Sequence, residues 1–155
     1  MATEIERKYL IANDGWRDHA DKGIQITQGY MASNDKSSIR IRINGDSANL
    51  NIKSKTLGMQ RSEYEYAIPM EDAREMLTAL CDRPYIDKTR FHVSHEGHVW
   101  EIDVFAGENE GLIVAELELD SVDEAFALPD WIGKEVTEDT RYFNICLVTH
   151  PYKNW

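Results

Sequence analysis

Along this chain, charged residues recur at alternate positions of short apolar segments, and they recur as pairs of one sign. Ser38-Ile39-Arg40-Ile41-Arg42-Ile43 alternates strictly, so an extended backbone puts both arginines on one face and the isoleucines on the other. The same parity joins Glu4 with Glu6, Lys53 with Lys55, Lys88 with Arg90, Glu101 with Asp103, and Glu116 with Glu118. It also sets Arg61 beside Glu63 and Glu65, while Tyr64 and Tyr66 take the opposite side. A period of two calls for strands with one charged and one apolar face. Like charges side by side repel, so a sheet whose charged face merely meets water normally intersperses its signs.

Two arrangements satisfy this pattern. One is an open sheet with a salt-bridged face toward solvent, in which exposed pairs contribute little. The other is a sheet that wraps onto itself, turning the charged faces into the lining of a barrel and the apolar faces outward. The outer face would then be covered by helices, by a partner subunit, or by both. A charged interior is stable only if its acids and bases pair, stay wetted, or hold a charged ligand, because a buried unpaired charge costs several kcal/mol.

The first strand, Thr3 to Ile11, aims Glu4, Glu6 and Lys8 at one place and Ile5, Arg7 and Tyr9 at the other side. A polar connection follows from Asn13 to Gly23, with Trp16 covering an edge, and Gly23 to Met31 is a second strand with Gln28 and Tyr30 on one face. Asn44-Gly45-Asp46 is a hairpin turn into a strand from Ala48 to Lys55. Glu71 to Cys81 is predicted to be a helix with an apolar stripe of Ala73, Met76, Leu77 and Leu80, a packing feature. Strands are expected through Ile86–His92, Val99–Phe105 and Ile113–Leu119.

His92, His95 and His98 flank a turn and read as surface histidines rather than as a metal site, since they lack a recognised zinc spacing. Ser121 with Glu124 forms a capping-box pattern, which predicts a short helix to Leu128 stopped by Pro129. Asp130 to Val136 is a loop or short strand, and a closing helix is expected over about Arg141 to Thr149.

A chain of 155 residues with 42% apolar content suits one domain, 1–155, with a core of its own. The net charge of -11 argues against a nucleic-acid partner, which would demand a basic surface. With no long apolar run and a charged start, the chain is expected to be cytoplasmic and independent of membranes. Cys81 and Cys146 match no redox or zinc spacing and are expected to be free buried thiols. P-loop, HExxH, GxSxG and glycine-rich nucleotide fingerprints are all absent from the sequence.

Guanidinium forks and ammonium groups bind phosphate oxygens, and carboxylate clusters hold hard cations that bridge those oxygens. The equipment is that of phosphoryl transfer on a compact polyanion. Glu4-Ile5-Glu6-Arg7-Lys8 also fits the ExExK signature of the CYTH domain, the triphosphate tunnel metalloenzymes. Taken with Arg40-x-Arg42, Lys53, Arg61-x-Glu63-x-Glu65, Lys88-x-Arg90, Glu101-x-Asp103 and Glu116-x-Glu118, nearly the whole chain resembles that family. The resemblance implies an α+β fold: a closed antiparallel barrel of about eight strands forming a charge-lined tunnel, with flanking helices.

It further implies Mg2+ or Mn2+ held by Glu4, Glu6, Glu116 and Glu118. Asp103, supported by Glu63, Glu65 or Glu101, would complete the acidic wall and help hold a second metal or orient water. Lys8, Arg40, Arg42, Lys53, Arg61, Lys88 and Arg90 would bind phosphates. Tyr30, Lys8 and Glu63 are the expected catalytic residues, Tyr30 for proton handling. The chain is most similar to short bacterial members that hydrolyse inorganic tripolyphosphate to pyrophosphate and phosphate. Thiamine or nucleoside triphosphatase, class IV adenylyl cyclase and a non-catalytic polyphosphate-binding module are the alternatives. A homodimer through the outer sheet face is a further expectation.

Overall fold

The computed structural model describes residues 3–55 and 58–155. Among the described residues are nine antiparallel strands: β1 (Thr3–Ile11), β2 (Ile24–Ser33), β3 (Ser37–Asn44), β4 (Ser47–Ser54), β5 (Gln60–Ala67), β6 (Ile86–His95), β7 (His98–Phe105), β8 (Ile113–Glu118) and β9 (Ile132–Glu135). Their order is β5-β4-β3-β2-β6-β7-β8-β1, and β5 returns to β1, so eight strands close a barrel. Closure depends on how β1 divides its outer edge. Thr3, Glu4 and Ile5 pair with Ser62, Arg61 and Gln60 of β5, whereas Tyr9 and Ile11 pair with β9. The expected barrel is therefore present, with a short ninth strand completing the edge that β5 leaves uncovered.

The apolar parity lies outside, as a closed barrel requires. Trp100 is fully buried there, with Tyr9, Phe126 and Trp131 meeting it edge-on at ring separations of 5.5, 6.0 and 5.8 Å. Trp16, also fully buried, lies on a 3-10 turn (Asp14–His19) and stacks at a tilt on Phe91. Helix α1 (Met70–Leu80) covers another side, with Ala73 and Leu77 packed in a cluster with Ile41 and Ala48. It sits close because Gly29 of β2 has no side chain: a Cβ there would come within 2.8 Å of Leu77 and 2.9 Å of Cys81. No helix among the described residues is long and apolar enough to cross a membrane.

Three expectations need correction. The 121–128 segment is a turn followed by irregular chain. Glu124 does accept a backbone hydrogen bond, from Asp120 at 2.7 Å, but it also meets His98 at 2.6 Å, and Phe126 is held against Trp100. Tertiary contacts along the barrel wall thus keep this segment from coiling. The closing helix is split: a 3-10 turn (Thr140–Tyr142), Phe143 in extended conformation, then α2 (Asn144–Thr149). Finally, Cys81 and Cys146 are free but only partly buried.

The position of α2 matters most. Leu147 and Val148 pack with Tyr30, Ile86, Phe105 and Val114, and Ile86, Phe105 and Val114 share their strands' inward parity with Lys88, Asp103 and Glu116. The C-terminal helix therefore stops one end of the barrel from within, rather than lying on its outside.

Candidate active site

The charged residues meet inside the barrel because every strand contributes the same parity to its interior. Glu6 and Lys8 of β1, Tyr30 of β2, Arg40 and Arg42 of β3, Lys53 of β4, Arg61 of β5, Lys88 and Arg90 of β6 and Glu116 of β8 all line one cavity. Glu4 and Glu63 flank it through Lys53, whose ammonium lies 3.1 Å from Glu4 and 3.2 Å from Glu63. Glu118 is exposed at the rim, facing Glu6 across the β1–β8 ladder. Asp103 faces inward and is completely buried beneath Lys88 and Arg90.

The acids and bases are paired in detail. Lys8 donates to Glu116 at 2.9 Å and approaches Glu6 at 3.3 Å. Burial opposes its charge, yet Glu116 and Glu6 hold the ammonium above its ordinary range. Glu116 shows the reciprocal effect: burial favours the neutral acid, but Lys8 and Arg90 keep its carboxyl well below the usual range. Arg90 grips Asp103 with two parallel hydrogen bonds of 2.8 and 2.9 Å and reaches Glu101 at 3.0 Å.

Lys88 donates to the same Asp103 at 2.8 Å and to Asn144 of α2 at 2.9 Å. Burial, the largest cause, pushes its ammonium down to about 7, with Arg90 and Arg42 adding to the effect and Asp103 opposing it. Asp103 is shared with a guanidinium, so its charge does not suffice for two buried cations. Its own carboxyl, which burial alone would raise, is held down at about 2 by Arg90 and Lys88.

Two cations stand outside this pairing. Among the described residues, neither Arg40 nor Arg42 has a carboxylate within ion-pair distance, and the buried Nε of Arg40 has no hydrogen-bond partner. Burial, together with Arg40 and Arg90, pushes the Arg42 guanidinium down to about 10, so it remains charged at neutral pH. The interior is thus polarised. Acids dominate near Glu4, Glu6 and Glu118, where burial and the charges of Glu4, Glu101, Glu6 and Glu63 push the Glu118 carboxyl up. Uncompensated positive charge collects at Arg40, Arg42 and Lys88.

Among the described residues no ready-made metal cluster of acids, histidines or cysteines exists, because the bases lie between the acids. The space they leave is about 50 Å³, on the order of one or two waters. An entering polyanion must draw the ammonium and guanidinium groups toward itself, and that would strip Glu4, Glu6 and Glu116 of their partners. A hard divalent cation suits the oxygen donors so released. Anion and metal are therefore complementary occupants of one charged network.

Several residues that the charge pattern does not reveal also enter the site. Asn144, Phe143 and Ile145 of the C-terminal segment line the cavity, and Arg61 lies over the Phe143 ring at 5.2 Å. Gln28, completely buried, accepts from Arg42 at 2.9 Å. Its parity with Tyr30 was the only signal, since a neutral amide leaves no mark in a pattern read by charge. His98 lies on the barrel's outside, near Glu124, whereas His92, half-exposed, shares the parity of Lys88 and Arg90 and meets Asp21 and Glu101 at 3.2 and 3.6 Å.

The sequence and the barrel have counterparts among known proteins. The chain is 45% identical over 155 residues, all of its length and 99% of the relative, to an inorganic triphosphatase of Acetivibrio thermocellus. It is 38% identical over 149 residues, covering 94% of its length and 96% of the relative, to an inorganic triphosphatase of Nitrosomonas europaea. The solved structure of the inorganic triphosphatase NE1496 superposes with a TM-score of 0.67 at 36% identity, covering 96% of this chain and 95% of that one. Residues 2–150 match the CYTH domain. Sequence likeness over the full length and the closed barrel agree: the chain belongs to the CYTH domain family.

Proposed function

We propose that this chain hydrolyses inorganic tripolyphosphate to pyrophosphate and phosphate in the barrel interior, with Mg2+ or Mn2+ as cofactor. The observation that carries this reading is the pair of inward arginines, Arg40 and Arg42, without carboxylate partners beside an acid-rich wall. Burying unpaired guanidinium groups is costly, and an anion of high charge density offsets that cost. The name inorganic triphosphatase, carried by relatives at 45% and 38% identity, supports the same substrate.

In this reading Arg40, Arg42 and Lys88 bind one end of the phosphate chain, and Lys8, Lys53, Arg61 and Arg90 turn from their carboxylates to its remaining oxygens. Glu4, Glu6, Glu116 and Glu118 would hold the divalent cation, which supplies Lewis-acid charge to the phosphate oxygens. Asp103, saturated by Lys88 and Arg90, is assigned to positioning those two cations and not to the metal. Water attacks a terminal phosphorus in line: a new P–O bond forms, the bridging P–O bond breaks, and the bridging electrons leave on pyrophosphate. The basic lining neutralises the charge that builds on the leaving oxygens.

Of the residues expected to handle protons, Lys8 is held protonated by Glu116 and Glu6, and Glu63 is paired with Lys53. Lys88, whose ammonium the bound anion recharges, serves as a phosphate-binding cation, and the proton of the attacking water passes to solvent. Tyr30 lines the same cavity and packs in the apolar cluster beside α2, a place suited to shaping the pocket.

Phosphate release from tripolyphosphate, pyrophosphate, ATP and thiamine triphosphate, each with Mg2+, with Mn2+ and with EDTA, tests the proposal. Tripolyphosphate is expected to be cleaved fastest, to equal amounts of phosphate and pyrophosphate, with pyrophosphate left intact and EDTA abolishing turnover. A cavity of about 530 Å³ adjoins the charged one across Phe143 and Tyr30, so faster cleavage of an organic triphosphate would shift the assignment to that class. Metal-dependent binding without any product would reduce the protein to a binding module.

Lys88 makes a second prediction. Calorimetry of metal-free tripolyphosphate binding above pH 7, repeated in buffers of different ionisation enthalpy, will show proton uptake as the anion recharges the ammonium. Lys88→Met will remove most of that uptake. Equal uptake in both proteins would reject Lys88 as the titrating group.

A further inference from the structure

Arg42 and Lys88 share the deep end of the cavity and repel one another, yet the structure joins them through two neutral amides. The Nε of Arg42 donates to Gln28 Oε1 at 2.9 Å, Gln28 Nε2 donates to Asn144 Oδ1 at 3.0 Å, and Lys88 Nζ donates to that same oxygen at 2.9 Å. Gln28 is completely inaccessible to solvent. Every bond in the chain runs from a donor to the acceptor that orientation demands, so the two amides have one self-consistent arrangement.

We propose that Gln28 and Asn144 are positioning residues for the anion, a neutral bridge that fixes Arg42 and Lys88 without cancelling their charge. The chemistry of the alternatives explains why amides serve here. A carboxylate at either position would neutralise one cation and repel the phosphate chain. An aliphatic side chain would leave a guanidinium N–H and ammonium protons unsatisfied inside the barrel and let two like charges drift apart. Only a group that accepts from one cation and passes a donor to the next neutral group preserves both the spacing and the positive potential.

The bridge also ties the C-terminal segment to the site. Asn144 is the first residue of α2, directly after the N-cap Phe143, and its carboxamide enters the cavity. Docking of α2 and placement of Lys88 are therefore one event. The proposal rests on the tripolyphosphate reading above and names two further residues that it requires.

The test compares Gln28→Met, Asn144→Leu and the double variant with the parent, by metal-free tripolyphosphate calorimetry and by KM and kcat with Mg2+. Each single variant is expected to weaken binding by roughly tenfold, the worth of one hydrogen bond to a charged group. The double variant is expected to lose much less than the product of the two, because either change already breaks the bridge. Asn144→Ser, which keeps a polar residue at the start of α2 but is too short to reach both partners, serves if the leucine variant does not fold, with the same tenfold loss expected. Binding and KM within twofold of the parent in folded single variants, or losses that multiply in the double variant, would overturn the proposal. A parent protein that neither binds nor cleaves tripolyphosphate would instead overturn the functional reading itself.

Discussion

Replacing Glu4 and Glu6 together with glutamine will leave a folded barrel and reduce tripolyphosphate cleavage by roughly a hundred- to a thousandfold or more. The amides keep the volume of the acids; Lys8 keeps Glu116 and Lys53 keeps Glu63, while Arg61, which meets Glu4 and Glu6 only at 3.8 and 4.0 Å, stays over the Phe143 ring. What disappears is negative charge at the one end of the cavity where acids outnumber free bases. Metal-free binding of tripolyphosphate will be retained or tightened in the same variant, because fewer carboxylates then repel the anion. Phosphate release together with calorimetry reads both effects, and cleavage at the parental rate with Mg2+ would remove these two residues from the metal site.

Asp103→Asn is the variant with the largest expected effect on the fold. The carboxylate is completely buried and serves both Lys88 and Arg90, so its loss leaves two interior cations without an adequate counter-charge. Removing one partner of a buried ion pair costs about 3–5 kcal/mol, which for a domain of this size lowers Tm by about 10 °C. Tripolyphosphate, sulfate or another anion will stabilise the variant more than the parent, since it replaces part of the missing charge.

The sign of the pH dependence follows from the direction of the shift. The Asp103 carboxyl is depressed to about 2 in the fold from an ordinary value of 3.8. Its contribution is therefore fully present above about pH 4 and is lost as pH falls toward 2. Thermal unfolding across that window will show a steeper loss in the parent than in Asp103→Asn. An unchanged Tm in the variant at neutral pH would mean that Lys88 and Arg90 are compensated by other groups.

The charged parity was legible because it is local: Arg40-x-Arg42 must share a face in any extended chain, and so must Glu4, Glu6 and Lys8. The strands and α1 followed from the same short-range periodicities. Where the reading failed, long-range contacts overrode local signals. Ser121 and Glu124 carry the marks of a helix start, but His98 and Trp100, distant in sequence, hold the segment against the barrel as irregular chain. Asn144 gave no signal at all, because a neutral amide acquires its meaning only from the two donors that converge on it.

Alternation along each segment, a property of neighbouring residues, was enough by itself to sort this protein's side chains into one charged and one apolar set. Whether the charged set looks inward was decided by β1 meeting β5, a pairing between residues some sixty positions apart that no local period can encode. Closure also chose the partners, setting Lys8 against Glu116 across 108 positions while leaving Arg40 and Arg42 without an acid. That choice belongs to tertiary structure because an ion pair depends on distance and burial in three dimensions, and sequence spacing specifies neither once the sheet has curved round on itself.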